Sequence, residues 1–153
     1  NLGISKNTVD RYLDLLQKVF VIQKLQGFSR NLRKEVTRHA RYYFTDNGIR
    51  NALINNFNAL PLRNDVGELW ENYLMMERLK FQSYTNLHSL NYFWRTYQQQ
   101  EIDWVEDRNG KLYAYECKWK DSGKVKIPSA WKDAYPESEF SVISPSNYLN
   151  WIQ

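Results

Sequence analysis

Residues 101–120, EIDWVEDRNGKLYAYECKWK, set three charged side chains among apolar and aromatic neighbours: Asp103, Glu116 and Lys118. Asp103 and Glu116 lie on two segments of strand character. The turn DRNG joins those segments, and its Asn109-Gly110 dipeptide is a strong hairpin signal. Folding at that turn lets the two carboxylates approach each other. Glu116 and Lys118, two positions apart, share one sheet face, and Cys117 between them points to the other. Two carboxylates facing one point are what a hard cation such as Mg²⁺ requires, because it takes oxygen ligands. Such an ion polarises a phosphoryl oxygen and lowers the pKa of a bound water. A neighbouring ammonium can position that water or stabilise developing negative charge. Two plainer readings compete with this chemistry: a solvated outer face of a hairpin, and a salt bridge between Lys118 and one carboxylate.

The strongest helical pattern lies upstream, in VGELWENYLMMERLKF, where Val66, Leu69, Trp70, Tyr73, Leu74 and Met76 cover one broad face. On a helical wheel Glu71 falls about 140° from Val66 and flanks that face, placed to reach toward a sheet edge. Glu77 falls within the apolar stripe and needs a partner such as a backbone amide or a basic side chain. Three strands follow, in SLNYFWRTY, EIDWVED and KLYAYECKWK. IPSAWKDAY then reads as a helix with Pro128 in its first turn, EFSVIS as a short buried strand, and PSNYLNWIQ as a last helical piece.

Before residue 60 the pattern differs. Ser5 can cap a helix whose apolar positions are Val9, Tyr12, Leu13, Leu16 and Val19 or Phe20. VFVIQKLQGF and RYYFTD read as two strands around the basic connection SRNLRKEVTRHAR. Helix, strand, basic loop and strand form the end of a winged helix-turn-helix. DNGIRNALINNF reads as a short helix capped by Asp46, and NALPLRND, with Pro61, as the linker. The expected division is a partial winged helix-turn-helix over residues 1–60 and a second domain over 61–153.

Asp, a hairpin and then Glu-x-Lys resembles the PD-(D/E)xK nuclease superfamily. The order helix, three strands, helix, strand from 66 to 144 resembles that family's αβββαβ core. The resemblance implies an α+β, restriction-endonuclease-like fold. It also implies a glutamate on the first helix, for which Glu71 in GELWENYL is the best match and Glu68, one turn earlier, the alternative. Glu71, Asp103 and Glu116 would then hold Mg²⁺, with Mn²⁺ as a substitute. Lys118 would orient the attacking water or stabilise the transition state of DNA phosphodiester cleavage. Ile102 stands where the superfamily's name has proline.

A wider resemblance covers almost the whole chain. GISKNTVDRYLDLLQKVFVIQKLQGFSRNLRKE, YYFTDNGIRNAL, GELWENYLMMERLK and EIDWVEDRNGKLYAYECKWK are similar to the C-terminal half of bacterial and archaeal P-loop ATPases of the AAA+ superfamily. In those proteins an ATPase core precedes a winged helix and a nuclease-like domain of unknown function. The chain carries no G-x-x-x-x-G-K-[ST] loop, so ATP is expected only in an N-terminal part not included here. The opening NLGISKNTVDRYL itself reads as the middle of a motif, and a longer parent protein is expected.

The totals fit this reading. With 42% hydrophobic residues among 153, a packed core is expected. The net charge of +4 mildly favours an acidic partner. In a winged helix the second helix enters the major groove by its N-terminal residues, which makes Lys6, Asn7, Thr8 and Arg11 the DNA-contacting candidates. Arg30, Arg33, Lys34 and Arg38 would track phosphates as a wing. DNA and the N-terminal ATPase domain are therefore the expected partners, with no membrane. The competing reading is a catalytically inactive module that regulates or targets the ATPase through protein or DNA binding. The single Cys117 suits a reducing compartment, and a cytoplasmic location is expected. His39 and His88 lack metal spacing.

Overall fold

A computed structural model of the chain describes residues 3–30, 35, 40–120 and 125–153. Among these the architecture is α+β, with five α-helices and one mixed six-stranded sheet. The helices are α1 (Lys6–Lys18), α2 (Asn47–Leu53), α3 (Val66–Tyr84), α4 (Ser129–Ala134) and α5 (Leu149–Ile152). The strands are β1 (Ile22–Gly27), β2 (Ala40–Phe44), β3 (Leu90–Arg95), β4 (Glu101–Arg108), β5 (Lys111–Cys117) and β6 (Glu139–Ile143). From residue 66 the order is α3-β3-β4-β5-α4-β6, as the sequence pattern predicts. Pro128 caps α4 rather than lying inside it.

The sheet runs β2-β1-β3-β4-β5-β6. Three of the joins are antiparallel, β1–β2, β3–β4 and β4–β5. The joins β1–β3 and β5–β6 are parallel. Asn109 and Gly110 both have positive φ (54° and 87°), the two-residue turn that matches the twist of the β4–β5 hairpin. The strand pair expected to end a winged helix thus extends the same sheet as the second half of the chain. Its seam is short: Gln26 and Gly27 pair with Tyr92 and Phe93, and the Phe28 amide donates to the Phe93 carbonyl at 2.7 Å. The connecting segment around Pro61 is also pinned, since the Arg63 guanidinium donates to Asp65, Asn51 and the Asn56 carbonyl.

Each sheet face carries its own core. On one side α3 and α5 pack Trp70, Leu74, Met75 and Trp151 against Leu25, Tyr43, Phe93, Trp104 and Tyr115. On the other, Trp131 of α4 and Tyr135 just after it pack against Phe28, Trp94, Ile102, Val105 and Ala114. Glu35 is buried beside this second core, where it accepts from the Trp94 indole (2.8 Å), the Tyr135 hydroxyl (2.6 Å) and the Arg30 amide (3.1 Å). By contrast α1, capped by Ser5 through the Thr8 amide at 3.2 Å, buries none of its residues. Tyr12 and Phe20 are 64% and 80% exposed.

Two polar locks seat α3. The Asn72 amide group pairs with the β2 backbone, accepting from the Phe44 amide and donating to its carbonyl, both at 2.8 Å. Deeper in, Glu106 of β4 is fully buried and takes a bidentate pair from Arg78 of α3, at 2.6 and 3.0 Å. Arg78 also donates to the Trp151 carbonyl of α5, and Glu106 further accepts from the Trp104 indole (2.9 Å) and from Arg108. Burial penalises the Glu106 charge, but the hydrogen bonds from Arg78 and Arg108 outweigh it and lower its pKa. Glu77, the carboxylate in the apolar stripe, finds its basic partner in Lys80 at 2.6 Å.

Removing one partner of such a pair strands the other charge. Glu106→Gln is expected to cost about 3–5 kcal/mol in urea unfolding at pH 7, and Glu106→Gln with Arg78→Met to recover part of that loss. Because the folded pKa of Glu106 is depressed, its contribution is present above the ordinary Glu value and fades as pH falls through the depressed one. The gap between wild type and Glu106→Gln should therefore close in acid, and a gap independent of pH would refute this account.

Candidate functional site

The site is built where α3, β2, β4 and the end of β5 meet. Strand register places Tyr92 opposite Val105 and Trp94 opposite Ile102, so two steps of β3 span three of β4. That extra residue is a β-bulge at Asp103 and Trp104. Ile102 and Val105 face the α4 side while Trp104 packs on the α3 side. The bulge breaks the alternation and re-aims Asp103, a group only 7% exposed, toward the α3 side.

There it meets Arg41 of β2. The Arg41 Nη1 atom donates to Asp103 Oδ1 at 3.1 Å and to Glu71 Oε1 of α3 at 3.2 Å. Nη2 donates to Glu101 Oε2 at 2.9 Å. The guanidinium also lies over the Phe93 ring, 4.9 Å from its centroid. Tyr43, two residues along the same strand and so on the same face, donates its hydroxyl to Glu71 Oε1 at 2.7 Å. The second oxygen of Asp103 accepts from the Cys117 amide at 3.0 Å. Burial opposes the charge on Arg41, but Tyr43, Glu71 and Asp103 hold its pKa above the usual arginine range.

Glu116 and Lys118 form a separate pair at 2.6 Å. Tyr115 and Cys117 pack into the α3-side core, so strand alternation turns Glu116 to the other face. Lys118 follows the last residue of β5 and is held by its amide on the Ile143 carbonyl at 2.9 Å. Asp103 is the charge that links the two groups. Burial and then the Asp103 charge raise the pKa of Glu71, and the same two causes in the same order raise that of Glu116. Burial works against the Lys118 ammonium, yet its hydrogen bond to Glu116 raises its pKa.

Of the residues singled out in the sequence, the structure thus joins Glu71 to Asp103 through Arg41 and joins Glu116 to Lys118. Glu68, the alternative to Glu71, is exposed and lines the same surface pocket as Arg41, Tyr43 and Glu71. Among the described residues, no three His, Cys, Asp or Glu side chains are grouped as ligands of a metal ion. Both oxygens of Asp103 accept hydrogen bonds, from Arg41 and from the Cys117 amide, so the group expected to hold Mg²⁺ with Glu71 and Glu116 here faces an arginine.

The DNA-contacting candidates fall elsewhere. Lys6, Asn7 and Arg11 are exposed on α1, and Thr8 is half-buried with its hydroxyl on Ser5 at 2.8 Å. Arg30 pairs with Asp107 at 3.2 Å, near the turn end of the β4–β5 hairpin and four residues along β4 from Asp103. Arg33, Lys34 and Arg38, like His39, lie outside the described residues. Arg41, Tyr43 and Glu101 are the site members that the sequence reading does not assign to the site. For Arg41 and Tyr43 the signal is their alternation in RYYF, which puts a cation and a hydroxyl on one strand face.

The sequence of the chain has relatives among known proteins. The chain belongs to the family of the domain of unknown function DUF4143, whose profile matches residues 66–149. That domain is found in the C-terminal region of AAA-ATPase-associated proteins. A second domain of unknown function, DUF8612, matches residues 1–60. Uncharacterised proteins of Mycobacterium bovis and Mycobacterium tuberculosis are each 28% identical over 120 residues, covering 77% of this chain and 26% of theirs. The chain thus spans about a quarter of the length of these curated relatives. No solved structure matches it. No helix among the described residues is long and apolar enough to cross a membrane.

The raised pKa of Glu71 has a definite sign. Its stabilising contribution is present below the ordinary Glu value and is lost as pH rises through the raised folded value. Glu71→Gln, permanently neutral, lacks that loss. The stability of Glu71→Gln relative to wild type should therefore improve as pH climbs from about 4 to about 7. Urea unfolding across that range checks it, and a constant difference would contradict it.

Proposed function

We propose that this chain is the C-terminal, nuclease-like module of a P-loop ATPase, and that it binds DNA and regulates or targets the ATPase without cleaving the nucleic acid. The resemblance to the PD-(D/E)xK superfamily supports the fold half of this reading, together with the α3-β3-β4-β5-α4-β6 order and the Asp–hairpin–Glu-x-Lys arrangement. The observation that carries the functional half is the Arg41 bridge. Its guanidinium bridges Glu71, Asp103 and Glu101. Lys118, the expected transition-state group, is engaged by Glu116. Each of these four acids thus has a basic partner from the chain itself. For DNA, α1 offers Lys6, Asn7 and Arg11 in the open at its N-terminal end, the position a winged helix uses to read a groove.

A second reading, Mg²⁺-dependent phosphodiester hydrolysis, is favoured by one observation. After burial, the charge of Asp103 is the next cause raising the pKa of both Glu71 and Glu116, the other two members of the implied ligand set.

One experiment separates them. Duplex DNA binding, followed by fluorescence anisotropy, should weaken with salt, and Lys6→Gln with Arg11→Gln should lower the salt slope by about 2. Plasmid incubated with Mg²⁺ or Mn²⁺ should stay intact. An unchanged salt slope would remove α1 from DNA recognition. Cleavage by the wild-type chain that disappears in Asp103→Asn would replace the first reading with the second.

A further inference from the structure

The misfit between the implied metal ligands and the observed geometry has a specific author in the fold, which is Arg41. Its fork reaches Asp103 Oδ1 and Glu71 Oε1 from a single nitrogen, at 3.1 and 3.2 Å. That nitrogen therefore stands between two carboxylates of different elements, where a bound cation would bridge the same two oxygens. The other nitrogen is anchored on Glu101 at 2.9 Å, and the face of the guanidinium rests on Phe93. Every contact comes from the edge strand β2, in the half of the chain that lies outside the αβββαβ segment.

We propose that Arg41 is a built-in counter-cation that occludes a divalent-cation site at Glu71 and Asp103, so that β2 acts as an autoinhibitory strap across the acidic edge of the sheet. The Arg41 charge, fixed against those oxygens, repels a divalent ion approaching them. A monovalent group fixed by the fold excludes a diffusible ion by being present at a far higher effective concentration. Withdrawal of Arg41 leaves Glu71 and Asp103 close together without a counter-charge, which is the condition under which oxygen ligands take up a hard cation. The strap goes beyond DNA binding, and it can fail or stand independently of it.

The test is Mn²⁺ binding by the chain, read from the loss of the free-ion EPR signal, with no nucleic acid present. Wild type should bind weakly. Arg41→Gln, and Arg41→Met, which keeps the stem over Phe93, should each bind about tenfold tighter or more, as expected for removing a unit charge at contact distance. Adding Asp103→Asn to either variant should erase the gain. Circular dichroism identifies any variant that does not fold. If neither does, the wild-type protein decides: saturating Mg²⁺ should bind weakly and shift the Arg41 side-chain ¹⁵Nε resonance in step, and no binding at saturating Mg²⁺ overturns the proposal. Arg41 variants that fold and bind no tighter than wild type overturn the proposal. So does a gain that survives Asp103→Asn, or Mg²⁺ binding that leaves the Arg41 resonance unmoved.

Discussion

The buried pair of Arg78 and Glu106 is the constraint on which the rest of the structure depends. Two ionic groups are held out of water, which is tolerable only when every lone pair and N–H is satisfied. Arg78, Trp104 and Arg108 satisfy the carboxylate, and the Trp151 carbonyl takes the remaining reach of Arg78. Because the bonds are directional, α3 can neither slide nor rotate on the sheet without breaking them. The same helix, seven residues earlier, presents Glu71. The position of the candidate site is thus set by an interaction with no part in its chemistry.

A second constraint acts on β4. A regular strand would have put Asp103 and Trp104 on opposite faces. The bulge opposite Phe93 places an aromatic core residue and a functional carboxylate on the same side, at the cost of one ladder position. Asp103 then has three neighbours of consequence: Arg41, the Cys117 amide and, through its charge, the glutamates on either side. The arrangement is polar and partly buried, with one guanidinium of the chain bridging three carboxylates.

Much of this was legible in the sequence. The apolar stripe of α3, the Asn109-Gly110 turn and the order of elements after residue 66 follow from periodicity and turn chemistry. Each is a local property. Glu71, Asp103, Glu116 and Lys118 could be found as residue types at suggestive spacings. What could not be read is what depends on distant partners. Arg41 looks like one more cation in a basic connection, and only the seam between β1 and β3 carries it to the acids. Arg78 and Glu106 resemble surface charges until they are seen as a pair. The bulge that aims Asp103 leaves no mark in a strand of alternating character, because EIDWVEDR has suitable side chains in either register. Glu35, the single acid in that basic connection, likewise shows its purpose only beside Trp94 and Tyr135.

The short seam between β1 and β3 also bears on the order in which the molecule forms. It joins residues 26 and 27 to residues 92 and 93, so closing it encloses a long stretch of chain, and the entropy of that closure is set against only a few backbone bonds. Helix α3 and the β3–β4–β5 meander are local by comparison and can assemble first. Without β2 docked, Glu71 and Asp103 would lack the Arg41 guanidinium that bridges them. Their repulsion works against the half-built core, and docking of β2 relieves it. The arrival of Arg41 therefore rewards completion of the sheet, and couples the two halves of the chain in folding as well as in the finished structure.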